Sequence, residues 1–435
     1  MAGSGDDFSL ARVPQDKRVP MWRMLVVRLG SLACVSQLIL GANLGFGMSF
    51  FDAFLATMLG SVILQIVSFA IGAASCKEGL STSLFSRWAG FGSVGSALIG
   101  AVIAIALMGW FGVQNSVFAS GISEITGLLN YEVWALITGL GITVLVVYGI
   151  KMISNVANIF VPLFIVAVIV AAFFMLQGHS IAELLSTPHP GPAMSLSTAT
   201  TMVAGGFIIG AVTTPDLTRF MKSGKDVFWM TLIGTFVGEL GMNLIAVLLA
   251  HAAKTNDVVS IMMSFSGWLG ALIVIASTIK LNDMNLYSSS LGLSTFIDAV
   301  SNLNISRTIL TWILGIIGTL LSVVGIINYF VDFLTILGVL IPPVAGIMVV
   351  DYYVLKRFRK ELDESRAKGE LPSVAESINP IAICAWIIAS LIGQFVPVGI
   401  PALNSLLAAG IIYLVAMKAY GAFSKQEQVK FIKAK

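Results

Sequence analysis

A cluster of polar residues from Ser277 to Asn285 interrupts an apolar stretch in the second half of the chain. The nine residues before it carry no charge, so we predict that the cluster lies in the middle of a membrane-spanning helix. A charged side chain at that depth costs about 2.5–3.5 kcal/mol. Lys280 and Asp283 share one helical face because they are three residues apart, and Asn282 and Asn285 share an adjacent face. We interpret this helix as lining a substrate cavity and meeting the ion or proton that drives transport.

The composition is that of a polytopic membrane protein. Of the 435 residues, 57% are hydrophobic and only 11% are charged, whereas soluble proteins carry about 25% charged residues. The three cysteines are far apart and the three histidines fall in predicted loops or helix ends, so we expect no disulfide framework, metal site or nucleophile–base set. The first 22 residues contain no signal-peptide core. We therefore expect no enzymatic activity and no cofactor other than a coupling ion, sodium or a proton.

Apolar runs of about 20 residues, the length that crosses the hydrocarbon core as a helix, divide the chain into spans. Twelve are predicted, at residues 24–45, 50–74, 94–118, 131–150, 154–176, 198–219, 227–251, 267–291, 307–324, 328–353, 379–396 and 400–420.

The distribution of basic residues supports this count. With the amino terminus inside, all but three of the 25 Lys and Arg residues fall in cytoplasmic segments, as the positive-inside rule requires. The exceptions are Lys254, which falls outside, and Arg28 and Lys280, which fall within the membrane. We therefore predict a multi-pass protein of the cell (inner or plasma) membrane with both termini in the cytoplasm.

Polar segments divide the spans into two groups of five and a final pair. The predicted parts are a cytoplasmic amino terminus (1–23), five helices (24–177), an external link (178–197), five more helices (198–354), a cytoplasmic linker (355–378), helices 11 and 12 (379–420) and a cytoplasmic tail (421–435). An odd number of spans inverts the second group relative to the first. Inverted repeats of this kind build many secondary transporters.

The first helix of each such repeat is broken near the midplane, where freed backbone groups bind ligand. Span 1 contains Gly30, and span 6 contains Gly205 and Gly206 followed by Gly210. We predict an unwound segment at the span-6 glycines; the alternative is that these glycines only permit close helix packing. Pro342 and Pro343 are predicted to break span 10, as a hinge for an external gate or as a fixed kink.

Six short motifs occur in order along nearly the whole chain. They are Val13-Pro14-Gln15, Gly109-Trp110-Phe111-Gly112-Val113, Gly205-Gly206-Phe207-Ile208, Pro215-Asp216-Leu217-Thr218-Arg219-Phe220, Asn282-Asp283 with Leu286-Tyr287, and Ile341-Pro342-Pro343-Val344 with Asp351-Tyr352. Together they resemble the nucleobase:cation symporter-1 family, in particular its bacterial cytosine permease branch. The resemblance implies an all-α, leucine-transporter-type fold of a 5+5 inverted repeat plus two C-terminal helices, and import of nucleobases or related heterocycles, usually with sodium.

The resemblance also implies a substrate site. The family holds a flat heterocycle between aromatic residues of spans 3 and 6, which match Trp110 and Phe207. Stacking of this kind contributes about 1–3 kcal/mol per base; the alternatives are an interfacial anchor for Trp110 and simple packing for Phe207. Asn282 matches a span-8 asparagine whose amide can donate and accept hydrogen bonds, and Asn285 is a weaker candidate.

Other matched positions depart from the family. Cytosine permeases carry polar side chains where this chain has Leu107, Gly206 and Ile209. These apolar residues remove hydrogen bonds and favour a more apolar or differently substituted ring over cytosine itself. Cys34 in span 1 is a further candidate for substrate contact.

The sodium site of the family lies between spans 1 and 8. Its span-1 carbonyls match Gly30 and Ala33, and its span-8 positions match Ser277, Lys280 and Leu281. A lysine and a leucine therefore stand where hydroxyl ligands are expected. We hypothesise that the Lys280 ammonium is a built-in cation that replaces sodium.

Two modes of coupling follow from this hypothesis. Transport is proton-coupled if Lys280 releases its proton during the cycle, and it is sodium-independent facilitation or exchange if it does not. The alternative is a static charge pair, for example with Asp283, that only packs spans 1 and 8. Arg28, Glu239 and Asp332 are the other charges predicted in the membrane; their near balance suggests pairing, with Glu239 as the best spare proton carrier or as a structural hydrogen-bond acceptor.

Other functions fit the sequence less well. A channel requires a filter or a ring of charges, which the sequence lacks. The remaining alternative is a sodium symporter of a hydantoin, a purine or a vitamin-related pyrimidine. We expect a small heterocycle and membrane lipid as partners and no nucleic acid; the oligomeric state stays open, and a monomer is compatible with the sequence.

Overall fold

The computed structural model describes residue 8 and residues 11–147, 152–301, 303 and 305–433, without the side chains of residues 152–162, 273, 276, 280 and 422–433. Within these residues the secondary structure is helical, apart from one isolated bridge between Val19 and Met221. The helices are α1 Met21–Leu32, α2 Val35–Gly47, α3 Phe50–Glu78, α4 Thr82–Ser86, α5 Gly92–Thr126, α6 Tyr131–Val147, α7 Met152–Gly178, α8 Ile181–Ser186, α9 Leu196–Val212, α10 Pro215–Thr218, α11 Gly224–Ile233, α12 Gly241–Ala253, α13 Val258–Ser301, α14 Arg307–Val323, α15 Phe330–Leu340, α16 Pro342–Val349, α17 Arg359–Lys368, α18 Pro380–Phe395 and α19 Pro401–Lys433.

Several helical stretches are long and apolar enough to cross a membrane. Among the described residues there are six by length and composition, or eight if the bent pairs at spans 1 and 8 each count as one. Shorter apolar helices, namely α6, α14, α18 and residues Leu163–Gly178 of α7, lie at the four remaining predicted spans. The all-helical membrane fold is therefore confirmed, and the count of twelve stays a prediction.

Span 1 is broken, as is general for the first helix of transporters built from inverted repeats. Helices α1 and α2 meet at an angle of 53°, and Ala33 and Cys34 between them have non-helical backbone angles. The Cys34 N–H donates to Leu32 O at 2.9 Å, so the carbonyl of Gly30 loses the donor that an uninterrupted helix would supply four residues on. The break therefore exposes backbone acceptors close to the buried start of α2.

The predicted unwinding of span 6 at its glycines is wrong. Helix α9 runs without interruption from Leu196 to Val212, and the break comes later, at Thr213 and Thr214, before α10. A Cβ atom at Gly205 would overlap the carbonyl oxygen of Leu334 in α15. The glycine therefore serves close packing of two helices, which was the alternative interpretation.

Spans 8 and 10 also contain breaks. Helix α13 begins at Val258, earlier than predicted, and bends at Gly267, whose φ of +61° is strained for residues with a Cβ. Its first part packs against α7, where Ser266 donates to Ala167 O at 3.4 Å. In span 10 the helix stops at Leu340 before Pro342, and Trp386 Nε1 donates to the Leu340 carbonyl at 2.7 Å. The proline break is thus capped by a side chain from α18.

A segment before α1 joins the helices at the end of the bundle that is predicted to face the cytoplasm; we call residues 12–19 the inner strap. Val13 N–H donates to Gly79 O at 2.9 Å, and Val19 N–H donates to Phe220 O at 2.8 Å. Arg18 Nη1 donates to Cys76 O at 2.7 Å and to Met221 O at 3.2 Å. The strap therefore joins the end of α3 to the connection between α10 and α11.

A buried carboxylate lies beneath the inner strap. Glu78 is 1% exposed, and its oxygens accept from Arg12 at 3.0 Å, from Arg366 of α17 at 2.7 Å and from the Tyr352 hydroxyl at 2.7 Å. Two guanidinium groups balance the buried charge, which would otherwise be costly. The predicted 355–378 linker is thus tied to the strap rather than left in solvent.

Candidate functional site

Helix α5 places an aromatic and a glutamine on one face in the protein interior. The Trp110 ring is buried and packs edge-on against Phe330 and Phe333 of α15, with centroid distances of 6.0 and 5.4 Å. Gln114 lies one turn later on the same face. Its Nε2 donates to Ser36 Oγ of α2 at 3.1 Å, and its buried Oε1 has no hydrogen-bond partner among the described side chains and backbone.

The register of α5 against α13 brings Asn282 to the same level. The two helices run antiparallel: Ser289 Oγ donates to Ala104 O at 2.6 Å, and Gly121 packs against Ile275. Asn282 lies midway between Ile275 and Ser289, which corresponds on α5 to the residues between Trp110 and Gln114. Its side chain is fully buried, and neither atom of its amide has a hydrogen-bond partner in the part of the chain that the structure describes.

Two glutamines belong to this site and were missed in the sequence. Gln37 follows the break in span 1, is 2% exposed and has an unpartnered Oε1; Gln114 faces its neighbour Ser36. Leaving a buried polar atom unpaired costs about 1–3 kcal/mol, so these amides are suited to a polar ligand. A glutamine one turn after the span-3 tryptophan, inside an apolar helix, was the signal that could have identified Gln114.

The Phe207 ring has a different neighbour from Trp110. The guanidinium carbon of Arg28 lies 4.4 Å from its centroid, and the ring also covers Gly210, where a Cβ would collide with it. Arg28 is 1% exposed and donates to Gly210 O at 3.0 Å, to Thr214 Oγ1 at 3.3 Å and to Ser68 Oγ at 3.0 Å. The predicted role of Trp110 and Phe207 as two platforms for one ring stays a prediction.

The other predicted substrate contacts are placed as follows. Cys34 is buried at the break of span 1, and Leu107, Gly206, Ile209 and Asn285 are half-buried. Gly206 faces Leu40 of α2. Leu107, Gly206 and Ile209 have no polar side-chain group, and their predicted contact with the substrate stays a prediction.

The predicted ion-site residues are only partly described. Gly30 and Ala33 lie at the break of span 1, and Leu281 is half-buried. Ser277 is 6% exposed, and its Oγ donates to Val274 O at 2.9 Å. Lys280 belongs to α13, but its side chain lies outside the described residues, so its role as a resident cation stays a prediction.

Two of the acidic candidates lie away from these amides. Asp283 interacts electrostatically with Arg307 at the start of α14, and Arg307 also lies 4.3 Å from the centroid of the Tyr287 ring, one turn after Asp283. Asp332 is exposed in the first turn of α15, where the helix dipole favours a negative charge.

Glu239 is buried between α3 and a π-helical segment of span 7. Its side chain is 0% exposed, and its Oε2 accepts from Ser61 Oγ of α3 at 3.2 Å. It interacts electrostatically with Arg28. Of the charges predicted in the membrane, Arg28 and Glu239 are therefore brought near each other.

Comparison with known proteins gives a consistent result. A family described as permease for cytosine/purines, uracil, thiamine, allantoin matches residues 12–416. The chain is 29% identical to the cytosine permease of Escherichia coli (strain K12) over 411 residues, which cover 94% of each chain. An inward-facing structure of Mhp1 superimposes with a TM-score of 0.78 at 19% identity, covering 95% of this chain and 93% of that one. A closed structure of Mhp1, a nucleobase-cation-symport-1 family transporter with bromovinylhydantoin bound, gives 0.74 at 21% identity, covering 94% of each chain.

Proposed function

Because the chain belongs to the family of permeases for cytosine/purines, uracil, thiamine and allantoin, we propose that it imports a nucleobase-like heterocycle, cytosine or a related pyrimidine or purine, by alternating access. The protein is a multi-pass membrane transporter and not an enzyme. Its termini are proposed to face the cytoplasm, because that orientation places the basic loops inside.

The observation that carries the cargo proposal is the amide of Asn282. It is fully buried, the register of α5 and α13 places it at the level of Trp110 and Gln114, and neither its oxygen nor its nitrogen has a hydrogen-bond partner among the described residues. An amide offers one acceptor and two donors, which match the alternating donors and acceptors on the edge of a nucleobase. Gln114 Oε1 and Gln37 Oε1 supply further acceptors, and they compensate for the apolar residues at positions 107, 206 and 209.

The proposed coupling is to protons or to no ion. It follows from Lys280, which occupies a position where the family carries a hydroxyl ligand for sodium. An ammonium beside a sodium ion is electrostatically unfavourable. The same ammonium can donate to the carbonyl groups that the break of span 1 exposes.

Uptake by proteoliposomes tests both parts of this proposal. Labelled cytosine is offered with an inward sodium gradient, with an inward proton gradient or with neither, and unlabelled heterocycles compete. We expect saturable uptake that sodium does not stimulate. Sodium-driven uptake would contradict the role of Lys280, and competition by another ring without cytosine uptake would transfer the proposal to that ring.

A variant pair tests the site. Asn282→Leu should weaken cytosine affinity roughly 10- to 100-fold, because it removes hydrogen bonds worth about 1–3 kcal/mol. Asn285→Leu, on the same helix but only half-buried, should have a smaller effect. Equal affinities for the wild type and Asn282→Leu would exclude this amide from the substrate site.

A further inference from the structure

Span 7 contains a π-helical segment, Gly234–Leu240, between α11 and α12. Segments of this kind are rare and are frequent at functional sites. The segment carries Glu239, whose side chain is completely buried. Neither the substrate amides nor the Lys280 hypothesis gives this carboxyl a function.

The surroundings of Glu239 are rich in unpaired polar groups. Only Oε2 accepts a hydrogen bond, from Ser61, and Oε1 has no partner among the described residues. Asn243 is one turn further along span 7 and is 0% exposed, with no partner for either amide atom. The Thr235 hydroxyl and the Gln65 amide, on the same two helical segments, are also buried without partners. Such groups are costly unless a ligand or a proton satisfies them.

Charged groups approach Glu239 from one direction only in the described structure. Arg28 of α1 interacts with it electrostatically, although no ion pair joins the two side chains. Helix α3 faces it with Ser61, and the ionisable residues of α3 lie at its ends. Within span 7, Lys225 and Asp226 lie at the cytoplasmic start and His251 lies in the last turn. One fixed positive charge therefore neighbours one carboxyl.

We propose that Glu239 is the proton-binding carboxyl of the transport cycle. The proposal rests on the proposed function and assigns the coupling proton to the interface of spans 2 and 7, apart from the substrate amides. In one conformation Oε1 takes a proton from water on the outer side, which forms the neutral acid; in the other the acid returns that proton to water inside, which restores the carboxylate. The positive charge of the Arg28 guanidinium stabilises the carboxylate form of Glu239. The same charge opposes the binding of a further cation, such as sodium, beside this carboxyl.

The broken span 1 links this carboxyl to the substrate. Gly234 packs against the Arg28 side chain, Gly238 packs against Leu32, and Gly41 packs against the backbone of Asn243. Span 1 therefore runs beside span 7 on both sides of its break. A movement of the backbone at Ala33 and Cys34 would therefore shift the part of span 1 that packs beside Glu239 and the part that carries Gln37 at the same time.

A direct measurement of proton binding does not depend on the cargo. Infrared difference spectra of the purified protein between two pH values report protonated carboxyl groups. We expect a carboxylic-acid band that disappears in Glu239→Gln and is retained in Glu183→Gln, a control in the external helix α8 with a side chain 60% exposed. An unchanged spectrum of Glu239→Gln would overturn the proposal, even if no heterocycle is transported.

Proteoliposomes then test the role in the cycle. We expect Glu239→Gln to lose proton-driven accumulation of cytosine by at least about 10-fold, while exchange of labelled for unlabelled cytosine stays within about twofold of the wild type. Preserved exchange also shows that the variant is folded. If Glu239→Gln accumulates as much cytosine as the wild type, only the assignment of the proton site to Glu239 is overturned. If the wild type itself exchanges no heterocycle, the proposed function is overturned.

Discussion

The Arg28 guanidinium lies 4.4 Å from the centroid of the Phe207 ring. Arg28 was predicted as one half of a charge pair, and Phe207 as a platform for a flat ring. In the structure the two side chains are in contact: the planar guanidinium of Arg28 lies over the Phe207 ring, on which a planar base is predicted to stack. The predicted stacking of a base on Phe207 would therefore depend on the position of Arg28.

Replacing Arg28 by lysine should separate the effect of its positive charge from the effect of its planar guanidinium group. Lysine keeps the positive charge but loses the planar group that stacks on Phe207 and bonds three acceptors at once. We expect the free energy of unfolding to fall by about 1–3 kcal/mol and substrate affinity to fall roughly 10-fold. Thermal unfolding and cytosine binding measure the two effects.

Arg23→Lys is the matched control, because Arg23 also lies over an aromatic ring, that of the exposed Trp22. It should change stability by less than about 0.5 kcal/mol. Equal effects of the two substitutions would contradict a special role for the buried pair.

Gln114→Leu tests the glutamine of α5. The change removes the donor to Ser36 and the unpartnered Oε1, so we expect cytosine affinity to fall about 5- to 100-fold. Stability should change little, because the loss of the Ser36 hydrogen bond is offset by the removal of a buried unpaired oxygen. Equilibrium binding of labelled cytosine measures the affinity. Gln394→Leu, on the exposed side of α18, should leave the affinity unchanged; a wild-type affinity in Gln114→Leu would place the substrate elsewhere.

Glu78→Gln tests the buried carboxylate under the inner strap. The glutamine is neutral, so Arg12 and Arg366 lose the negative charge that they share. Breaking a buried ion pair costs about 3–5 kcal/mol. We expect a lower thermal midpoint and faster maleimide labelling of the buried Cys76, which lies next to the strap.

The control for Glu78 is Glu364→Gln, whose partner Lys360 is 83% exposed. Exposed pairs contribute about 0–1 kcal/mol, so its midpoint should stay close to that of the wild type. If both variants unfold alike, the charge of Glu78 does not hold the cytoplasmic ends together.

Gly205→Ala tests the corrected interpretation of span 6. The new methyl group would collide with the backbone of α15 at Leu334, and such overpacking costs about 1–3 kcal/mol. Gly141→Ala in α6 is the control, because a Cβ there meets no atom within 4 Å and alanine favours the helix by up to about 1 kcal/mol. A Gly205→Ala variant as stable as the wild type in thermal unfolding would contradict the close packing of α9 against α15 at this glycine.

The span-6 glycines show one limit of prediction from the sequence. The same residue type permits both an unwound backbone and close helix packing, and only the partner helix α15 distinguishes them. The all-helical membrane fold and the break of span 10 were predicted correctly, because apolar run length and proline act locally. The break of span 1 at Ala33 and Cys34 followed only from the general pattern of inverted-repeat transporters, not from its own residues.

The substrate amides show a second limit. Asn282 was identified because a polar side chain in an apolar helix is conspicuous, and the structure leaves its amide buried and unpaired. Gln114 was overlooked because polar contacts were sought at positions 107, 206 and 209, where the family has them. Gln114 lies one helical turn after Trp110, which the sequence shows directly. Its position relative to Asn282 depends on the antiparallel register of α5 and α13, which the sequence does not show.

The inner strap also constrains the order in which the protein can be assembled. Arg12 is synthesised long before its partners, because it bonds the backbone of Glu370 and the hydroxyl of Ser365 more than 350 residues later. These bonds cannot form until ten predicted spans have left the ribosome. During biosynthesis the strap therefore stays without these partners until α17 has been synthesised, and only then can it join the ends of the helices.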